Sequence, residues 1–347
     1  MNRFLCGFDD YDAAHLLSEF ATVTSSPTIV SGRTGSCLRC ANGHSVYVTA
    51  APEGVASICV NVAVRFSTLP ATPGNFIVIG DNTNTHVTLA VNSSGTLAVY
   101  RSNQSVISGN SPFANINTLL GTGTIALLAN VWYWIGLKVT IHDSTGTVDV
   151  QVNGAVDTPL TLTGKDTRNG GTATAVIVGI GQNVSLTSVD FDDFVVNDTS
   201  GSTNNDLIAD SRVDFHLPNA NGSNTAWTRS TGADDYAVID ENPPTDDTDY
   251  LSTSTLNAIT TVNIQDFKNS GATIAAVQVN LLTRKIDAGT CGLAPVIRID
   301  STDNVGTQVN PSTTYAYQRQ NYDVQPDTTA WNETDFNAME VGVKRVV

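Results

Sequence analysis

The segment VWYWIGLKVTIHDSTGTVDVQVNG, residues 131–154, carries the clearest structural pattern in the sequence. Apolar residues alternate with other residues on both sides of a turn, Asp-Ser-Thr-Gly at 143–146. The residues of the apolar face are Val131, Tyr133, Ile135, Leu137, Val139, Ile141, Val148, Val150 and Val152. Because successive side chains of a strand point to opposite faces, the pattern predicts two strands with one buried face. We expect an antiparallel hairpin at the centre of a β-sandwich.

The composition extends this interpretation to the whole chain. Of the 347 residues, 41% are hydrophobic and only 14% are charged, and five Glu and five Lys are too few to cover many solvent-exposed helices. Val, Thr and Gly are abundant, which is typical of strands and turns. The length is sufficient for two domains, each with its own core. We therefore predict an all-β protein built from two β-sandwich domains.

The domain boundary is predicted from a change in this pattern. Residues 1–198 contain short alternating segments at the spacing of a sandwich, and the last of them, at 189–196, contains a Phe-Asp-Asp-Phe sequence similar to Phe-Asp-Asp-Tyr at 8–11. We expect these two stretches to be neighbours. Residues 199–206 are polar and aperiodic, as a linker would be. Alternating segments resume in the second predicted domain, 207–347.

The charge and the N-terminus limit the possible partners and locations. The formal net charge is −16 and the isoelectric point is about 4.4, so a basic surface for nucleic acid or anionic lipid is not expected. No apolar run approaches the roughly 20 residues of a membrane-spanning helix. The start, MNRFLCGFDDYD, has too short an apolar stretch for a secretion signal. We expect a protein made in the cytosol and not exported by the usual route.

Carboxylates are the first candidates for chemistry. Sandwich-fold glycosidases need two carboxylates that face each other, and no two Glu residues share a predicted strand here, so no catalytic residues are assigned and enzymatic activity is not expected. Asp190 and Asp192 share one face of a predicted strand, whereas alternation places Asp193 on the other face. Asp190 and Asp192 are candidate calcium ligands together with backbone carbonyls. The alternative is that they are structural residues near turns; no other cofactor is predicted.

Aromatic and cysteine residues supply the other candidates. Trp132 and Trp134 lie opposite the apolar face of the hairpin, where they are candidates for binding a glycan or a protein partner. The alternative is that both pack locally. Cys37 and Cys40 have the spacing of half a zinc site, but no second pair follows, so the sequence favours buried thiols; an interchain disulfide is the other possibility.

Several stretches together resemble a known family. They are 7–11, 32–35, 132–154 and 189–196 in the first half and 217–222, 226–232, 239–252 and 329–343 in the second half. In combination these stretches resemble structural proteins of tailed-bacteriophage virions. Such proteins have an N-terminal jelly-roll domain similar to concanavalin A and laminin G domains, followed by a second β-sandwich.

This resemblance implies a non-enzymatic structural component of a phage particle. It would be surface-exposed at the tail or neck, would dock on other virion proteins in several copies, and would be assembled in the host cytoplasm. Two alternatives stay open: a capsid decoration protein, and a carbohydrate-binding module that recognises the host surface. A glycoside hydrolase is disfavoured because the Glu pair is missing.

Overall fold

The computed structural model describes residues 1–10, 12–41, 43–104, 113, 118–183 and 185–347. The chain is almost entirely β-structure, as predicted, and divides into two compact units, Met1–Val213 and Asp214–Val347. In the part of the chain that the structure describes, the α-helices are two short ones, α1 (Leu16–Glu19) in the first unit and α2 (Glu333–Ala338) in the second. No helix within the described ranges has both the length and the apolar character needed to cross a membrane.

The described residues of the first unit form sixteen strands. Their bounds are β1 Asn2–Cys6, β2 Thr22–Thr24, β3 Thr28–Ser31, β4 Ser36–Ala41, β5 Ser45–Thr49, β6 Ser57–Phe66, β7 Gly74–Gly80, β8 Thr85–Val91, β9 Thr96–Arg101, β10 Thr118–Ala126, β11 Tyr133–Thr140, β12 Gly146–Val152, β13 Ala155–Val156, β14 Leu162–Lys165, β15 Ile177–Gly181 and β16 Ser188–Asp198.

These strands form two antiparallel sheets. Sheet A has the order β13-β12-β11-β6-β16-β4-β3, with β1 also paired to β16 and β14 to β12; sheet B has the order β10-β9-β8-β7-β15-β5-β2. Apolar side chains fill the space between the sheets. Phe66 of sheet A meets Phe76 of sheet B edge to face, with ring centroids 5.1 Å apart. The first unit is therefore a β-sandwich, in agreement with the prediction.

The hairpin at 131–154 forms as the alternation predicts. Ile135 pairs with Val152 and Val139 with Val148, and all four side chains are buried. Two details differ from the prediction. Val131 precedes the strand and is 41% exposed, so it is not part of the buried face. The hairpin also lies to one side of sheet A rather than at its centre, because within the described residues only the short strands β13 and β14 pair with β12 on the edge away from β11.

The N-terminal strand pairs with the last strand of the first unit, as expected for its two ends, but the pairing ends at Cys6 and does not include residues 8–10 of the stretch that was expected to adjoin 189–196. Strand β1 pairs antiparallel with β16, and Cys6 lies opposite Phe194. The ring of Phe4 contacts that of Phe194 edge to face, with centroids 5.4 Å apart. Tyr11, part of the similar sequence at 8–11, lies outside the described residues. The N-terminal strand is thereby hydrogen-bonded to β16, an interior strand of sheet A.

Residues 206–213, here called the strap, form no strand and belong to the first unit. Asn197 donates a hydrogen bond from its side-chain amide to the Asp206 carbonyl (2.7 Å), and the Ile208 N–H donates to Asn61 Oδ1 (3.2 Å). The division between units therefore falls after Val213, whereas the sequence placed a linker at 199–206 and began the second domain at 207. The strap stays with the first unit because sheet A supplies hydrogen-bond partners on its outer face.

The second unit contains nine strands. Their bounds are β17 Pro218–Thr225, β18 Thr228–Arg229, β19 Leu251–Ser252, β20 Ile259–Ile264, β21 Val277–Thr283, β22 Leu293–Ile299, β23 Thr302–Val305, β24 Ala316–Tyr322 and β25 Glu340–Arg345. A five-stranded sheet has the order β17-β20-β25-β22-β23, and two-stranded sheets are formed by β18 with β19 and by β21 with β24.

One core joins these layers of the second unit. Ile264 and Ile297 of the five-stranded sheet pack with Val277 and Val279 of β21 and with Phe336 of α2. Asn332 immediately precedes this helix, and its side chain accepts a hydrogen bond from the Asp335 N–H, as an N-cap residue does. The second unit is also sandwich-like, with a smaller second layer.

Candidate functional site

The outer face of sheet A brings together charged and aromatic residues from four adjacent strands. Arg39 of β4 lies opposite Asp190 of β16, and Asp190 lies opposite Arg65 of β6. The Arg65 guanidinium carbon lies 4.8 Å from the ring centroid of Trp132, which immediately precedes β11. We call Arg39, Asp190, Arg65 and Trp132 the outer row. It includes two of the four candidate site residues from the sequence.

Asp190 is held between two guanidinium groups. Arg39 donates from Nε to Oδ1 (2.7 Å) and from Nη2 to Oδ2 (3.0 Å). Arg65 donates to Oδ2 from Nη2 (2.7 Å) and Nε (3.1 Å). The Asp190 side chain is only 5% exposed, so a buried anion is balanced by two cations. This arrangement makes Asp190 a structural anchor rather than a calcium ligand.

Asp192 lies on the same outer side but has a different environment. Its Oδ2 accepts a hydrogen bond from the Arg33 N–H (2.7 Å), and its Oδ1 accepts one from the Asp193 N–H (2.8 Å). Complete burial, and then the neighbouring Asp193 carboxylate, raise the pKa of Asp192 to about 7. Within the described ranges no three Asp, Glu, His or Cys side chains are grouped to hold a metal ion. The calcium hypothesis for Asp190 and Asp192 thus gains no support.

Asp193 departs from the alternation predicted for it. The pairing of β16 with β6 shifts between Asp192 and Val195, and Asp193 adopts a φ of +50° there. This bulge returns its side chain to the outer side of the sheet. Its Oδ2 accepts hydrogen bonds from Arg33 Nη2 (2.6 Å) and Nε (2.9 Å), and its Oδ1 accepts one from the Val213 N–H (2.8 Å). Asp193 therefore links the sheet to the strap.

Trp134 is covered by the strap and is 1% exposed. Its Nε1–H donates to the Ile208 carbonyl (3.0 Å), and its ring packs with Ala63 and Val195. The Arg33 guanidinium carbon lies 5.5 Å from the ring centroid on the same side of the sheet. The predicted role of Trp134 in an exposed binding surface therefore does not fit its position. The alternative of local packing describes it.

Trp132 differs because it lies at the edge of this cluster. It packs against the same group of residues but keeps part of its side chain accessible. Its ring carries the Arg65 guanidinium, in a cation–π arrangement. Of the two tryptophans proposed from the sequence, Trp132 is the one that still presents a surface.

The sequence analysis missed Arg33, Arg39 and Arg65. A signal for two of them was present, since Arg39 and Arg65 occupy polar positions within otherwise apolar alternating strands, SCLRCA and SICVNVAVRF. A carboxylate at a buried strand position also requires a cation nearby, which points to arginine on the neighbouring strands. The pairing order of the strands was needed to combine these signals.

Cys37 and Cys40 are buried thiols, which agrees with the favoured interpretation. Cys37 lies opposite Val30, and Cys40 lies opposite Val189. Their odd spacing places them on opposite faces of β4, so they do not converge on one ion. Burial, and then the Asp190 carboxylate, raise the pKa of Cys37 to about 12 and also raise that of Cys40. Neither thiol is a ready nucleophile.

Comparisons with known proteins give no family and only weak structural similarities. No family model and no curated protein matches the sequence. Similar solved structures include Trypanosoma rangeli sialidase in complex with the inhibitor DANA, at 15% identity and a TM-score of 0.34, over 50% of this chain and 27% of the sialidase. The carbohydrate binding module CBM66 from Bacillus subtilis is 6% identical over 51% of this chain and 94% of its own, with a TM-score of 0.31.

A third structure, described as HCR/D-Sa-GBL1/C, is similar over 94% of this chain and 89% of its own, at 11% identity and a TM-score of 0.36. The match to the sialidase covers only 27% of the sialidase chain. With TM-scores of 0.31 to 0.36 these similarities are weak, and they assign no activity or ligand to this chain.

Proposed function

We propose that this chain is a non-enzymatic structural component of a tailed-bacteriophage particle. It would sit at the tail or neck, exposed on the surface, and dock on other virion proteins in several copies. The resemblance of stretches in both halves of the sequence to such proteins supports this proposal, as does a chain built of two β-sandwich units. The formal net charge of −16 favours docking on a basic neighbour. Assembly in the host cytoplasm belongs to the same proposal.

The observation that carries the non-enzymatic part is that three buried carboxylates are paired with arginine. Asp190 is held by two arginines, Asp193 by Arg33, and Asp235 of the second unit by Arg229 at 2.5 Å. A catalytic acid or base must reach a substrate and exchange a proton with it. Carboxylates that are buried and neutralised by arginine instead fix neighbouring strands and loops to one another. This supports a scaffold rather than a reaction centre.

The test is the composition of purified particles. Tails and capsids from intact virions are separated, and the chain is quantified by mass spectrometry in each fraction. The proposal predicts several copies per particle, concentrated in the tail or neck fraction. Enrichment in the capsid fraction would support the decoration alternative, and absence from intact virions would overturn both.

A second candidate function, carbohydrate binding, is favoured by one observation. Trp132 keeps part of its ring accessible beside Arg65, which is an arrangement suited to contact with a sugar ring. A glycan array probed with the full chain tests this function. Trp132→Ala is expected to remove binding, whereas Tyr250→Ala, which changes an aromatic residue 41% exposed in the second unit, should leave it unchanged.

A further inference from the structure

We propose that the outer row is a binding site for a saccharide that carries a carboxylate. Arg39 and Arg65 would hold the carboxylate, and Trp132 would contact the sugar ring. This inference rests on the carbohydrate-binding function proposed above and names the class of its ligand.

The arrangement of charge in the outer row favours an anion. Two guanidinium groups surround one carboxylate, so the row has a formal charge of +1 in a chain whose formal net charge is −16. The charges also lie at different depths. The side chain of Arg39 is 41% exposed and that of Arg65 is 28% exposed, whereas that of Asp190 is 5% exposed. An approaching carboxylate therefore meets the two cations before the buried anion.

The arginines also keep hydrogen-bonding capacity. Asp190 receives the Nε and Nη2 donors of both residues. Neither Nη1 group donates a hydrogen bond to any residue that the structure describes. A guanidinium group that is anchored along one edge holds its remaining N–H donors in a fixed plane, which suits a planar carboxylate. Asp190 thus fixes the orientation of both guanidinium groups, and a ligand carboxylate would accept hydrogen bonds from their remaining N–H donors.

Trp132 gives the reason to expect a sugar rather than a simple anion. The Arg65 guanidinium lies directly beside its ring, so a cation and an aromatic surface are adjacent. In a uronic or sialic acid the carboxylate is attached to the sugar ring itself. A ligand of this class can contact Trp132 with its C–H face while its carboxylate meets the arginines.

The experiment measures binding of the full chain to a panel of uronate- and sialate-bearing oligosaccharides by isothermal titration calorimetry. Each acidic oligosaccharide is paired with its methyl ester, which keeps the sugar and removes the charge. We expect at least one acidic member to bind at least 10-fold more tightly than its ester, and higher salt to weaken that binding. Arg39→Gln should reduce it at least 10-fold. Arg212→Gln, at a similarly exposed arginine (37%) outside the row, should not change it.

A second variant separates loss of binding from loss of folding. In Arg39→Gln/Asp190→Asn the buried carboxylate and one of its cations are removed together, and the one charge that remains, on Arg65, belongs to a side chain that is 28% exposed to solvent. This variant should unfold at nearly the wild-type temperature and still lose binding. Retained binding in both Arg39 variants would overturn the site.

Other outcomes distinguish this inference from the function on which it rests. Equal binding of acids and esters, abolished by Trp132→Ala, would keep carbohydrate binding and overturn the acidic specificity. Equal binding of a poly-glutamate peptide would show general attraction of anions and also overturn it. If no member of the panel or of the neutral glycan array binds, both the inference and the carbohydrate-binding function are wrong.

Discussion

Trp132 and Trp134 lie two residues apart on the same face of sheet A, and they have different surroundings. Trp134 is 1% exposed beneath the strap, and its indole N–H is hydrogen-bonded to Ile208. Trp132 packs at the edge of the same cluster, next to Arg65, and is only partly buried. One segment of eight residues therefore divides the outer face into a covered part and an open part. The covered part is expected to contribute stability and the open part to contribute binding.

Truncating the covered tryptophan should have the largest effect on stability. Trp134→Ala removes a fully buried indole and leaves a cavity between the strap and Ala63, so we expect a loss of about 3–5 kcal/mol in the free energy of unfolding. Trp132→Ala removes a partly exposed ring and should cost about 1–2 kcal/mol. Urea denaturation of the full chain, followed by circular dichroism, measures both. Equal losses would show that the strap does not divide the face as described.

Arg33 should matter next, because it connects the covered face to the strap. Its guanidinium group pairs with Asp193, which is completely buried, and donates to the Ser211 carbonyl at 2.5 Å. Arg33→Met leaves the Asp193 carboxylate buried without its cation, and we expect a loss of about 3 kcal/mol by denaturant titration. Arg212→Met is the control, since Arg212 is 37% exposed and pairs with the exposed Asp210, and it should stay within about 0.5 kcal/mol of wild type.

A result that ranked these two arginines equally would contradict the role of Arg33. In that event the strap would be held by its apolar contacts alone, such as Ile208 and Val213 against Trp134. The difference between the two variants is therefore more informative than either value, because both remove one arginine from the same region.

The covered face should also give a characteristic dependence on pH. The pKa of Asp192 is raised from 3.8 to about 7 in the folded protein. Its contribution to stability is therefore fully present below pH 3.8 and is lost as the pH rises through 7. Relative to Asp192→Asn, wild type should lose on the order of 3 kcal/mol between pH 4.5 and 8.

The measurement is the unfolding free energy of both proteins at several pH values across this range. Asp143→Asn, at a side chain that is 65% exposed, is the control and should run parallel to wild type. A constant difference between wild type and Asp192→Asn would show that Asp192 is ionised throughout. The direction of its pKa shift would then be wrong.

The sequence was sufficient for the hairpin and insufficient for the strap, and the physical reason is the range of the interactions. Alternation from Tyr133 to Val152 is local, and it identified the buried face correctly apart from Val131. The apolar residues Leu207, Ile208 and Val213 are similar in type, but they lie in no strand and pack on a sheet formed far away in the sequence. Their hydrophobicity was visible, whereas the surface that they cover was not.

The site residues follow the same division. The shared side of Asp190 and Asp192 follows from a period of two and is present in the structure. The position of Asp193 depends on a bulge, and an Asp-Asp pair does not signal a positive φ at its second residue. The arginine partners of Asp190 come from β4 and β6, so their identity depends on strand order. The sequence pattern thus predicts which face of its strand a residue lies on, whereas the residues beside it on other strands depend on the order of the strands in the sheet.

The smallest expected effect is at the beginning of the strap. Lys138 Nζ lies 3.0 Å from Asp206 Oδ1, with the two side chains 25% and 66% exposed. Because solvent screens such a pair, Asp206→Asn should change the unfolding free energy by less than about 0.5 kcal/mol, and less still in high salt. The amide oxygen of Asn also remains able to accept the hydrogen bond that the Leu207 N–H donates to Asp206 at 2.8 Å. A loss above about 1.5 kcal/mol in the same denaturant titration would mean that the strap is held at its exposed start. The contrast between Trp134 and Trp132 would then follow from ionic rather than apolar contacts.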